Sequence, residues 1–142
     1  MTRGRSVYKF TALRAVQRDT ILTAKAATGT GSSINASDFR NAVCEISTAS
    51  SGSMTLKCQG SIGPTPADFT AAASSTNPWV YLQVVDLQNG TAANGATGVV
   101  YTGTDGVYLV EVNVNSVDWF TWTVTAYSAG NVTVKSIMTD NQ

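Results

Sequence analysis

Apolar and polar positions alternate with a period of two along most of the chain. The pattern is clearest from Gly106 to Met138. Tyr108, Val110, Val112 and Val114 interleave with Leu109, Glu111 and Asn113; Phe120, Trp122, Val124 and Ala126 interleave with Thr121, Thr123 and Thr125. Period two puts each set on one face of a strand. Asn115-Ser116 and Ser128-Ala129-Gly130-Asn131 fall between the runs as turn chemistry. The stretch therefore predicts three antiparallel strands with one buried face, carrying Phe120 and Trp122, and one wet face.

The same reading extends to the rest of the chain. Residues 40–48 and 53–60 predict a hairpin around Ser50-Ser51-Gly52, with Cys44 opposite Cys58, Ile46 opposite Leu56 and Thr48 opposite Met54. On its other face Glu45 and Lys57 are placed for a diagonal ion pair. Pro64 and Pro66 exclude a central strand from residues 62–77, where 67–73 is a candidate for one helical turn. Residues 79–87 predict a strand, 88–98 a Gly/Asn loop, and 99–102 a short strand. Residues 6–14 and 19–25 are further short strand candidates. About eight strands, frequent turn signals and no strong helix signal predict an all-β, jelly-roll-like β-sandwich. Its domain occupies residues 34–142, preceded by a basic arm and linker at 1–33.

Composition agrees with that class. Charged residues are 13% of the chain, while 14 serines and 20 threonines supply polar surface. Threonine is β-branched and polar, which suits the wet face of a strand. The net charge is zero but unevenly spread. Residues 1–25 hold six basic residues against Asp19 alone, and the remainder holds three against eight acids. Such asymmetry predicts an acidic partner for the head. Arg3, Arg5, Lys9, Arg14 and Arg18 suffice for several phosphate contacts. Tyr8 and Phe10 alternate with the basic residues as in a strand, so docking on an acidic protein surface fits equally well. No apolar segment follows the basic residues as in a secretory signal, and no run approaches the ~18 residues of a membrane span. The expected compartment is a cytoplasm, with release from a cell only by lysis.

Candidate chemistry is sparse. The chain has no histidine, which removes the side chain most used in general acid–base work. The acids are scattered, no nucleophile elbow or Walker loop occurs, and no catalytic residue, cofactor or metal site is expected. Asp86, Asn89, Asp105 and Asp118 fit no calcium-loop spacing and read as turn residues. Cys44 and Cys58 read as small buried apolar residues kept reduced; a cross-strand disulfide is the alternative. Trp122 belongs to the buried set. Trp119 sits on the opposite face of its strand, and Trp79, after Pro78, wedges a loop against the sheet. Trp79 and Trp119 are the candidate protein-interface residues; a sugar-stacking platform is the other reading.

Three segments carry a resemblance: SINASDFRNAVCEISTASSGSMTLKCQGSI, ADFTAAASSTNPWVYLQVVDLQNG and GVYLVEVNVNSVDWFTWTVTAYSAGNVTVK. The order is a Thr/Ser hairpin closing on K-x-Q-G-S, a strand N-x-W-x-Y-x-x-V-x-D-L, a V-x-V-N strand and T-V-T-A-x-S-A-G-x-V-T-V. The region from Ile34 to Lys135 resembles small structural proteins of tailed bacteriophages, most of all the jelly-roll decoration (cement) class. The resemblance implies a homotrimer at three-fold positions on the outside of the phage capsid, in the host cytoplasm during assembly, clamping the major capsid protein, with no active site. No membrane partner is expected from the hydropathy, and nucleic acid is not the expected partner. The basic arm lies outside the match. Charge alone nominates Arg3, Arg5, Lys9, Arg14 and Arg18 as the capsid anchor. A tail, neck or receptor-binding protein that holds glycans through Trp79, Trp119 and the 88–98 loop is the alternative, and a glycosidase with paired acids is a further rival.

Overall fold

The computed structural model describes residues 16–140. They form one antiparallel sheet of nine strands: β1 (Val16–Lys25), β2 (Gly29–Thr30), β3 (Ile34–Asn35), β4 (Asn41–Ser61), β5 (Val80–Leu82), β6 (Val84–Asp86), β7 (Ala92–Ala93), β8 (Val99–Asn113) and β9 (Trp119–Thr139). The spatial order is β1-β9-β4-β8-β6-β7. Short β2 and β3 lie along the first half of β9, and β5 lies along the second half of β4.

This single sheet folds over into a sandwich. Cys58 on β4 is the register partner of Trp122 on β9, yet the Trp122 indole N–H donates to the Cys44 sulfur at 3.3 Å. Fourteen residues of straight strand, Cys44 to Cys58, would span about 46 Å. Contact requires the two halves of β4 to face each other across the core. Backbone pairing says the same independently. Leu82 pairs with Cys58, whereas Val84, two residues on, pairs with Val112, itself the partner of Ala42. Residues 80–86 thus begin in one layer and end in the other, with Gln83 between.

The fold line is a row of irregularities across the three long strands. Between Ala49 and Ser53 β4 spends four residues where β9 spends two. Ser50 and Ser51 both take φ 56°, Gly103 on β8 takes 58° and Gly130 on β9 takes 74°. Such left-handed residues mark bulges that bend a strand without ending it. Hydrogen bonds tie the corner: Ser51 N to the Asp105 carboxylate at 2.8 Å, Gly103 N to Ser53 Oγ at 2.7 Å, and Tyr127 Oη to Gly130 O at 2.7 Å.

Several expectations are corrected here. The hairpin at Ser50-Ser51-Gly52 is a bulge inside one 21-residue strand, and the turn at Ser128–Asn131 is its counterpart inside β9. The three strands expected from 106 to 138 are therefore two. Cys44 pairs with Ser136 and Val110, and Ile46 with Val134 and Tyr108. The faces, however, follow the alternation: Cys44, Ile46, Thr48, Met54, Leu56 and Cys58 all point inward and are buried. The strand at 79–87 is broken into β5 and β6, and 99–102 continues into β8. Residues 67–73 make a turn, with Ala71 N donating to Asp68 O, and no helix. Thr121 and Thr123 are buried rather than wet, because their hydroxyls donate to Ser32 O and Gly29 O of the neighbouring segment.

The all-β sandwich class holds. Its core is filled by Phe120, Trp122, Leu56 and Val124 from one layer and by Ile46, Val110, Val112 and Val134 from the other. Residues 16–35, expected to belong mostly to the arm and linker, pair with both ends of β9, and Ile21, Leu22 and Ile34 enter the core.

Candidate interaction surfaces

The two outer faces of the sandwich differ. In the layer containing β5, the outward residues of β4 are Lys57, Gln59 and Ser61, and the loop at 62–79 covers Gln59 and Ser61. Phe69 from that loop is buried against the sheet, and Gln59 Nε2 donates to Phe69 O at 3.0 Å. Trp79 locks the loop down. Its ring meets Phe69 edge-on at 6.4 Å and Tyr81 at 5.0 Å, and its N–H donates to Ala71 O at 3.0 Å. Lys57 Nζ stands 4.8 Å above the Tyr81 ring, a cation–π contact rather than the expected pair with Glu45. Glu45 lies opposite Lys135 instead.

Trp119 reaches the same loop from another side. It is half-buried, and its N–H donates to Gly63 O at 3.2 Å. The two candidate tryptophans therefore brace one loop but line different clefts. Trp79 lines an apolar hollow of about 590 Å³ with Ile62, Val80 and Val117, where Ile62 is 70% and Val80 60% exposed. Trp119 lines a hollow of about 400 Å³ with Asn35, Pro64 and Asp118. Exposed apolar side chains gathered in one hollow mark a protein-contact surface better than isolated ones do. Trp79 is thus mainly a wedge for the loop, and its neighbours Ile62 and Val80 supply the exposed apolar area. The β-alternation signal missed them because both flank irregular chain.

Of the proposed anchor, Arg3, Arg5, Lys9 and Arg14 lie outside the described residues. Arg18 is exposed on β1, opposite Ile137 of β9.

The 88–98 loop shares a cleft with neither tryptophan. It borders a hollow of about 540 Å³ with Asp86, Tyr101 and Tyr108. The two tyrosine rings lie 4.7 Å apart, and burial, then the nearby Tyr108 and Asp86, push the Tyr101 phenol up. The oxygen-bearing side chains weighed for calcium serve the backbone. Asp86, Asn89, Asp105 and Asp118 accept N–H bonds from Gln88, Thr91, Ser51 and Gly63, all at 2.7–2.8 Å. Among the described residues, no three His, Cys, Asp or Glu side chains gather as a metal-holding group.

Cys44 and Cys58 are free, buried thiols. Burial pushes Cys44 up to about 12 despite the Trp122 hydrogen bond; burial, and secondarily Cys44, raise Cys58. Neither is a reactive nucleophile.

No family model matches the sequence, and no curated protein matches it. Among the solved structures that share the fold is the SPBc2 prophage-derived protein YomS, with a TM-score of 0.68 and 14% identity, covering 90% of this chain and 96% of YomS. Another is the PBSX exported protein XepA, also at 0.68, with 10% identity, covering 89% of this chain and 38% of XepA. The chain thus spans about two fifths of the length of XepA. At these identities the likeness is one of fold.

Proposed function

We propose that the chain is a structural protein of a tailed-phage virion, and within the virion a decoration protein on the outside of the head. The observation that carries this reading is the fold shared with YomS, a prophage-derived protein, over nearly the full length of both chains. The motif order from Ile34 to Lys135 supports the decoration class. The role is mechanical: the sandwich buries surface on assembled major capsid protein and on sister copies, and by binding the shell alone it stabilises the shell. Two surfaces serve this. The hollow of Ile62, Trp79 and Val80 supplies apolar contact, and the cationic head from Arg3 to Arg18 supplies attraction to acidic coat surface. Catalysis has no part in this account.

Antibody labelling of purified virions in the electron microscope tests it. Label spread over heads is the expected result; label confined to tails or baseplates overturns the decoration role. The second reading, a glycan-holding tail protein, is favoured by the Tyr101–Tyr108 cleft beside the 88–98 loop, because paired rings next to a carboxylate suit a sugar. Glycan-array binding lost on Tyr108→Ala would support it.

A further inference from the structure

We propose that the outer face of the layer containing β1 and β6 is covered by a second copy of this chain, packed face to face about a two-fold axis parallel to the strands. This proposal rests on the sheet and not on the capsid reading. The opposite outer face already carries the 62–79 loop, which buries Gln59 and Ser61 of β4. Among the described residues this one carries no such cover, and it is partly apolar. Val107 is 63%, Leu87 44% and Leu109 39% exposed on it. An apolar sheet face is normally packed against another layer.

The register supplies the choice of partner. One cross-strand row runs Arg18, Ile137, Val43, Glu111 over β1, β9, β4 and β8; the next runs Thr20, Lys135, Glu45, Leu109. In both rows the positive charge is on the β1–β9 side and the negative charge on the β4–β8 side. A two-fold axis along the strands, between β9 and β4, exchanges these sides while keeping each row opposite itself. It sets Arg18 against Glu111 of the second copy, Lys135 against Glu45, and Ile137 against Val43. Arg18, Lys135, Glu45 and Glu111 then each meet an opposite charge, so that each ion pair occurs twice, and the apolar pair meets itself at the centre. That is the condition for an isologous interface. Aligned sheets cross at about 30°, so each copy tilts about 15° from the axis.

Five strands about 4.8 Å apart and three rows about 6.6 Å apart give ~500 Å² a side. About 1,000 Å² in total is at the low end for a specific complex, the size of a reversible rather than an obligate dimer. The trimer implied by the family resemblance would need a different, head-to-tail contact, because a two-fold face closes at two.

Sedimentation equilibrium of the full chain over a micromolar concentration series is the test. The wild type should move from monomer to dimer. Glu45→Lys and Lys135→Glu, both at exposed positions, should each weaken the dimer tenfold or more with the melting temperature nearly unchanged. An equimolar mixture of the two variants, whose faces now carry opposite charge, should recover a mixed dimer. A wild type that stays monomeric, a trimer indifferent to both variants, or a mixture that fails to associate would each overturn the proposal.

Discussion

The indole of Trp122 donates its N–H to the sulfur of Cys44, 78 residues away, at 3.3 Å. This contact closes the sandwich, because Trp122 is paired in register with the far half of the strand that carries Cys44. Both side chains are fully buried. Trp122→Phe removes the donor and some volume and should cost about 1–3 kcal/mol, whereas Trp122→Ala should cost about 3–5 kcal/mol. In a double-mutant cycle with Cys44→Ala, chemical denaturation should give a coupling energy of about 0.5 kcal/mol or more, as for residues in contact. Strict additivity would mean that the layers do not meet there.

The buried thiols make stability fall on the alkaline side. A thiol's ordinary value is 9.0, and Cys44 is pushed up to about 12 while Cys58 also rises. Above pH ~9 the unfolded chain loses protons that the folded chain keeps, so the stabilisation is complete below that pH and is lost as pH rises towards 12. Urea titrations from pH 8 to 11 should show a decline steeper than in a Cys44→Ala, Cys58→Ala variant, by up to ~1.4 kcal/mol per pH unit for each thiol. Equal slopes in the two proteins would contradict the burial. Thiol reagents at neutral pH should label the wild type only once it unfolds.

The fold line has a testable weak point at Gly130. A Cβ there would lie 2.5 Å from Ala49 O and 2.6 Å from Gly52 Cα, at φ 74°. Gly90 has the same φ with nothing within 4 Å. Gly90→Ala should therefore cost only the backbone term, about 1 kcal/mol, and Gly130→Ala about 3 kcal/mol or more. In melting temperature that is a loss of roughly 10 °C for Gly130→Ala. Similar losses at both sites would mean that the strands are not pressed together at the bend.

Deleting residues 1–15 leaves β1 whole, whereas cutting through Arg18 would also remove the pairs that Val16, Gln17 and Arg18 make with Thr139, Met138 and Ile137. The shorter deletion should leave the melting temperature within a few degrees while weakening co-sedimentation with purified phage heads at least tenfold. Raising the salt should weaken the full chain in the same direction, since exposed charges are screened. Undiminished head binding by the truncated chain would remove the cationic head from the mechanism.

The faces of the strands were legible in the sequence, and the path of the strands was not. Period two placed Val110, Val112, Phe120 and Trp122 inward, and each is buried. Ser50-Ser51-Gly52 and Ser128–Asn131 read as reversals because turns and bulges need the same residues, those that tolerate positive φ. Whether such a segment reverses or only bends depends on whether β9 and β8 continue past it, which is non-local. Trp79 was readable as a wedge from its place after Pro78. Trp119 was readable as facing away from the core, but its bond to Gly63 was not. The apolar outer face was visible as Leu109 alternating with Val110. It was read as wet because its partner side chains, Val43 and Ile137, come from strands far apart in sequence.

The proposed role is to grip assembled shell and strengthen it. Calorimetry of purified heads lacking the chain, titrated with the full-length protein, tests this most directly. The account predicts a saturable rise in the temperature at which the shell opens, reached at a fixed number of copies per coat subunit. A transition that stays in place at saturating protein, or a rise equal to that given by an unrelated sandwich protein, would contradict it.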